Sequence, residues 1–166
     1  MSYWRLFYHI AWGTHQREPL ITPGMEEELH GYLTGKAVSL EAIAHKINGT
    51  ENHVHLVLSV PPKLALATLI GHLKGSSSHH LNHLPGAAGN FAWQDEYGVV
   101  SFSEKFLPDV VRYVERQKEH HQADKLWGLL EQMGDEDAQR HGSVALREPD
   151  VVYWASTSLE DWQPPF

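Results

Sequence analysis

The segment Asn48–Pro62, NGTENHVHLVLSVPP, sets the architecture of this chain. From His53 to Val60 it is rich in β-branched and aliphatic residues, and Pro61-Pro62 ends it, which predicts a strand. Side chains alternate faces along a strand. His53 and His55 therefore share one face, while Val54, Leu56 and Leu58 turn to the other and into a core. Asn48-Gly49 is a turn signal, and Ala37–Ile47 before it reads as a second strand, so the two form a hairpin.

Outward from the hairpin, the pattern alternates. Tyr3–Trp12 (YWRLFYHIAW) is aromatic and apolar on both faces, as in a central strand. Thr14–Pro19 is polar and loop-like. Thr22-Pro23 supplies an N-cap and first-turn proline, with Glu26–Glu28 at the positive helix end, so a helix is expected from about Pro23 to Gly35. After the hairpin, Leu66, Leu69, Ile70, Leu73 and Leu81 form a helical stripe within Lys63–Leu84, broken by Pro85–Asn90. Phe91–Ser103 (FAWQDEYGVVSFS) reads as two short strands around Asp95-Glu96, and Pro108 opens a helix to about His121. The order β-α-β-β-α-β plus a helix predicts an α+β fold. It is the ferredoxin-like split βαβ arrangement: an antiparallel sheet with helices on one face, plus a C-terminal helix carrying Tyr113. Residues 1–121 are expected to form this domain and 122–166 an acidic C-terminal helix and tail.

Composition narrows the partners. Of 166 residues, 42% are hydrophobic, enough for a core, and there is no cysteine, which excludes disulfides and thiolate metal sites. No apolar run approaches the roughly 18 residues of a membrane span, and the Met1–Trp12 run carries Arg5 and His9 rather than a signal-peptide pattern. The net charge is −8, against the basic balance usual for nucleic-acid binding. The excess is uneven: residues 1–118 hold 10 Lys+Arg and 11 Asp+Glu, and residues 119–166 hold 3 and 10. A local patch, a bound cation and stacking aromatics remain available to the first part.

Several residues could carry chemistry, each with a plainer reading beside it. His53 and His55 can reach one divalent cation, or they are two of 13 histidines on a half-buried strand. Tyr113 and Gln117 lie one helical turn apart. With Leu107, Val110, Val111 and Val114 as the buried stripe, they are expected together with His120 or His121 on another face. Such a tyrosine is either a nucleophile or a surface ring packed on its neighbours. Phe91, Trp93 and Tyr97 either stack on bases or belong to the core. Lys74-Gly75-Ser76-Ser77-Ser78 lacks the glycines of a phosphate loop, though Lys74 is placed to meet a phosphate. His79-His80-x-x-His83 has zinc-like spacing without the glutamate of a metalloprotease helix, and with His72 it is expected outside the site.

Taken in order, these segments resemble a known family: Tyr8-His9-Ile10-Ala11-Trp12, Asn52–Leu58, Leu73-Lys74-Gly75, Phe91-x-Trp93-Gln94-x-x-Tyr97-Gly98 and Arg112–His121. The resemblance is to the single-tyrosine HUH transposases, the small insertion-sequence transposases and REP-associated tyrosine transposases, and covers residues 3–121. It implies Tyr113 as the nucleophile, His53, His55 and Gln117 as ligands of Mg²⁺ or Mn²⁺, and Lys74, Trp93, Tyr97, Arg112 and Arg116 as DNA contacts. It further implies single-stranded hairpin DNA as substrate, a homodimer, no small-molecule cofactor, no membrane, and a bacterial cytoplasmic, nucleoid-associated location.

The chemistry suits the residues. Two imidazoles and an amide oxygen add no negative charge, so a cation they hold keeps its Lewis acidity for a phosphodiester. Tyrosine, ordinarily neutral near pH 7, needs activation. Two competing readings stay open: a catalytically inactive or domesticated hairpin-DNA-binding protein acting on repeated chromosomal sequences, and a metal-dependent hydrolase in which Tyr113 is incidental.

Overall fold

In the computed structural model, which describes residues 3–122, the chain opens with strand β1 (Phe7–Gly13) and a short 3-10 turn at His15–Arg17. Helix α1 (Pro23–Ser39), strands β2 (Ile43–Thr50) and β3 (His53–Ser59), helix α2 (Leu66–Asn82) and strand β4 (Gly98–Phe102) follow. Helix α3 (Leu107–Glu115) and the short α4 (Gln117–Gln122) end the described part. The strands form one antiparallel sheet in the order β2-β3-β1-β4, so β3 splits the β1-α1-β2 unit. This is the expected α+β, ferredoxin-like arrangement. The helix and tail expected beyond residue 122 lie outside the described residues.

Strand β3 is buried along its whole length, because β1 and β2 flank it and both its faces are covered. On one face Val54, Leu56 and Leu58 join Ile10 and Trp12 of β1. Leu29, Leu33 and Ala37 of α1 and Leu69, Ile70, Leu73 and Leu81 of α2 close over them. Each buried Leu or Ile contributes about 1.5–3 kcal/mol relative to exposure. On the opposite face Val57 meets Val110, Tyr113 and Val114 of α3, with Val100 and Phe102 of β4 alongside. Two helices thus share one face, and the tyrosine helix has the other.

Several local expectations need correction. Helix α1 continues past the exposed Gly35 to Ser39, because Ala37 is buried against the sheet and outweighs the weak helix propensity of glycine. The second strand is therefore Ile43–Thr50 rather than Ala37–Ile47. Asn48-Gly49 lies inside β2, and the turn falls at Glu51-Asn52. A Cβ on Gly49 would sit 2.2 Å from the His53 carbonyl oxygen, so the glycine serves close strand approach rather than a turn. Finally, Phe91–Ser103 yields one strand, with Trp93 making only an isolated bridge to Thr14.

Thr22 makes no side-chain cap, although Pro23 does open α1. The other end of α1 is closed by a six-residue backbone motif. The Ala42 N–H donates to the Ala37 carbonyl (3.1 Å) and the Glu41 N–H to that of Val38 (2.9 Å), with Glu41 left-handed at φ 64°.

Candidate active site

Strand parity places His53 and His55 on the α3 face, with ring centroids 4.9 Å apart and planes at 77°. Both are buried. Their neighbours orient them. His53 Nδ1 lies 2.6 Å from Asn52 Oδ1 and 2.9 Å from Thr50 Oγ1. The amide oxygen only accepts, so Nδ1 carries the proton and Nε2 the lone pair. His55 Nδ1 and His9 Nε2 share a 2.9 Å hydrogen bond between two buried rings. His9 is on β1, two residues before Ala11, which pairs with His55. Neither sequence periodicity nor spacing singles out His9, because the contact depends on strand pairing across 46 residues.

Helix α3 is held over these histidines by Asn48, the cross-strand partner of His55. Asn48 Nδ2 donates to the carbonyls of Val114 (2.9 Å) and Glu115 (3.0 Å), satisfying acceptors that the helix end leaves open. The helix stops there: Arg116 has φ −98° and ψ 20°, and α4 begins at Gln117. The expected continuous helix is therefore two pieces. Tyr113 also shares a buried face with Val110 and Val114, rather than a separate one; it is 3% exposed and Gln117 0%. Burial at positions i, i+3 and i+4 within α3 accounts for the placement of Tyr113. Lys118 Nζ, 2.7 Å from Glu26 Oε2, ties α4 back to α1.

His53 Nε2, His55 Nε2 and Gln117 Oε1 are all sealed from solvent. As a donor set, two imidazole nitrogens and one amide oxygen fit a divalent cation of intermediate hardness, and no carboxylate competes for the charge. Among the described residues, no group of three or more His, Cys, Asp or Glu side chains could hold a metal ion.

The residues expected to meet DNA are dispersed. Lys74 Nζ donates to the carbonyls of Gln94 (2.6 Å), Asp95 (2.9 Å) and Glu96 (3.2 Å), clamping the segment before β4. Burial pushes its ammonium below the ordinary lysine range, against the pull of Asp95 and Glu96. Trp93 is packed edge-on to Trp12 and Phe91 and donates to Ser77 Oγ at 2.9 Å, so its ring belongs to the core. Tyr97 is 39% exposed, with Lys74 Nζ 6.0 Å from its ring centre. Arg112 and Arg116 are exposed on the α3 side, Arg112 within 3.6 Å of Asp109. His72, His79 and His80 lie on α2 and His83 at its C-cap, across the sheet. There His80 pairs with Glu28 and stacks on Tyr32, and His79 stacks on His83.

Comparison with known proteins gives the family of this split βαβ sheet with a tyrosine helix laid over a His-x-His strand. Residues 2–117 match the family described as "Transposase IS200 like", so the chain belongs to the IS200-like transposases and is a DNA transposase by class. It is similar to the ISDra2 transposase TnpA of Deinococcus radiodurans, 26% identical over 121 residues, covering 69% of this chain and 85% of that one. The fold matches a crystal structure described as a transposase from the same organism, at a TM-score of 0.53 and 24% identity over 70% of this chain and 95% of that one. It also matches a REP-associated tyrosine transposase bound to a REP hairpin, at a TM-score of 0.55 and 12% identity over 76% of each chain. No helix among the described residues is long and apolar enough to cross a membrane.

Proposed function

We propose that this chain cleaves and rejoins single-stranded hairpin DNA through a 5′-phosphotyrosine formed on Tyr113. The observation that carries the reading lies on one sheet face: His53 and His55 side by side on β3, with Tyr113 of α3 packed on that face and the end of α3 held by Asn48. Tyr113 Oη attacks the scissile phosphorus, the bond to the 3′-oxygen breaks, and that oxygen leaves as a 3′-hydroxyl. The phenolic proton passes to solvent, and the departing 3′-oxygen takes a proton up from solvent. The phosphodiester energy is kept in the tyrosyl linkage, so rejoining needs no nucleotide cofactor.

His53, His55 and Gln117 would hold a divalent cation, Mg²⁺ or Mn²⁺. When bound, it supplies Lewis acidity toward a non-bridging phosphate oxygen. Asn52 and Thr50 fix the tautomer of His53, and His9 fixes the ring of His55. Asn48 fixes the end of the nucleophile's helix. Two DNA ends and one nucleophilic tyrosine per chain favour a homodimer as the working unit. The near balance of charge over residues 1–118 favours recognition of folded single strands by shape over a strong field for duplex.

The test is covalent capture. Incubating the protein with labelled hairpin single strands and Mn²⁺ is expected to give a denaturation-resistant protein–DNA adduct. Tyr113→Phe loses one oxygen and little volume, so it should fold, bind the strand within a few-fold of the parent, and form no adduct. An adduct persisting in Tyr113→Phe would overturn the assignment.

A further inference from the structure

The turn that follows β1 lays an arginine beside His53, and the chemistry above gives it no task. In this turn, His15–Arg17, both Gln16 (φ 51°) and Arg17 (φ 59°) are left-handed, a conformation costly for residues with side chains. Thr14, fully buried, holds the turn together. Its hydroxyl donates to the carbonyls of Glu18 (2.5 Å) and Asn52 (3.1 Å), and its own carbonyl accepts the Arg17 N–H at 3.0 Å.

The result is an arginine folded back over the sheet. A Cβ built on Gly13 would lie 3.0 Å from Arg17 Cδ, 3.2 Å from its Nε and 2.8 Å from Gln94 Oε1. Gly13 is the register partner of His53. The bond from the Thr14 N–H to the Asn52 carbonyl (2.8 Å) makes 14:52 the hydrogen-bonded pair. Pair 13:53 is then the closely spaced kind, with facing Cβ positions about 4.5–5.5 Å apart. The Arg17 side chain therefore crosses the histidine face next to His53, with the Gln94 amide beside it, through space that only glycine at position 13 leaves open.

We propose that Arg17 binds a backbone phosphate of the DNA strand presented to Tyr113. A guanidinium matches a phosphate with paired donors and is always charged. Residues 1–118 carry a net charge near zero, so phosphate binding depends on single cations placed at the site rather than on an extended field. The left-handed backbone is retained where a glycine would be easier, which fits a side chain kept for its function. This inference rests on the reading of the His53–His55 face as the DNA-cutting site.

The experiment uses a 5′-labelled hairpin-forming single strand with Mn²⁺, in a Tyr113→Phe background that leaves the strand uncut. Arg17→Gly suits φ 59° and is expected to melt at or above the temperature of its parent. It should bind about ten-fold more weakly, as expected for a lost charge-assisted contact. The slope of log affinity against log salt should shrink by about 0.7, the single-strand value for one phosphate. Arg17→Lys should keep the slope while losing part of the affinity. Binding by Arg17→Gly within two-fold of the parent with an unchanged slope overturns the proposal. So does a fall in melting temperature of more than 5 °C accompanying the loss of binding, which would mark Arg17 as structural. Absence of an adduct with the unsubstituted protein is a separate result and strikes at the tyrosine chemistry instead.

Discussion

His9 shows how a residue whose role the spacing of its own segment does not reveal enters a site. It sits in a strand whose alternation only says which way it points; its partner, His55, is fixed by the β1–β3 register. On the metal reading, replacing His9 with Phe keeps a ring of similar size and removes the nitrogen that holds His55. Loss of such an outer partner typically costs 10–100-fold in metal affinity. Titration calorimetry with Mn²⁺ is expected to show a drop in that range, together with a lower melting temperature because His55 Nδ1 loses its buried partner; unchanged affinity would make His9 a packing residue. Parity did make the shared face of His53 and His55 legible in the sequence. The roles of His9, Asn48 and Arg17 were not legible, because each depends on a neighbour fixed by pairing or turn geometry. Asn48 in particular carries a turn signature, yet its side chain serves a helix 66 residues away.

At the scale of elements, the same contrast separates what periodicity predicts from what packing decides. The helical stripe of α2 and the strand β3 follow from their hydrophobic periods. The end of α1 does not, since burial of Ala37 carries the helix over Gly35 and Lys36 to a terminus on Glu41. That terminus is improvable. Glu41 occupies the position where glycine is strongly preferred, at φ 64°. Its ion pair with Lys63 joins two exposed groups and contributes little. Glu41→Gly is expected to stabilise the fold by about 0.5–1 kcal/mol. Thermal unfolding should then shift upward by about 2 °C in a chain of this size; a downward shift would show that the ion pair outweighs the backbone conformation.

Across the whole molecule, half-buried histidines link stability to acidity. Burial lowers the pKa of His30 below its ordinary 6.5, with Lys118 and Lys46 adding to the effect and Glu26 opposing it. Burial likewise lowers that of His45, helped by Arg5. The unfolded chain therefore takes up protons at these positions before the folded chain does. Their contribution to stability is complete above about pH 6.5 and is lost as pH falls from there through the folded values. His30→Gln should flatten this acid limb, so that melting temperature declines less between pH 7.5 and 5.5 than in the unsubstituted protein. An identical decline would assign the effect to other groups.

The unequal cover of the sheet carries a consequence for how the protein comes apart. One face lies under two helices of 17 residues each, and the other, among the described residues, chiefly under the nine residues of α3. Opening is cheapest where the least apolar surface must be re-wetted. On that ground α3 is expected to open before the hydrophobic layer of Ile10, Trp12, Leu56 and Leu58 closed beneath α1 and α2. Among the described elements, the tyrosine would then ride on the one most easily lifted, and the histidine strand on the part that lets go last.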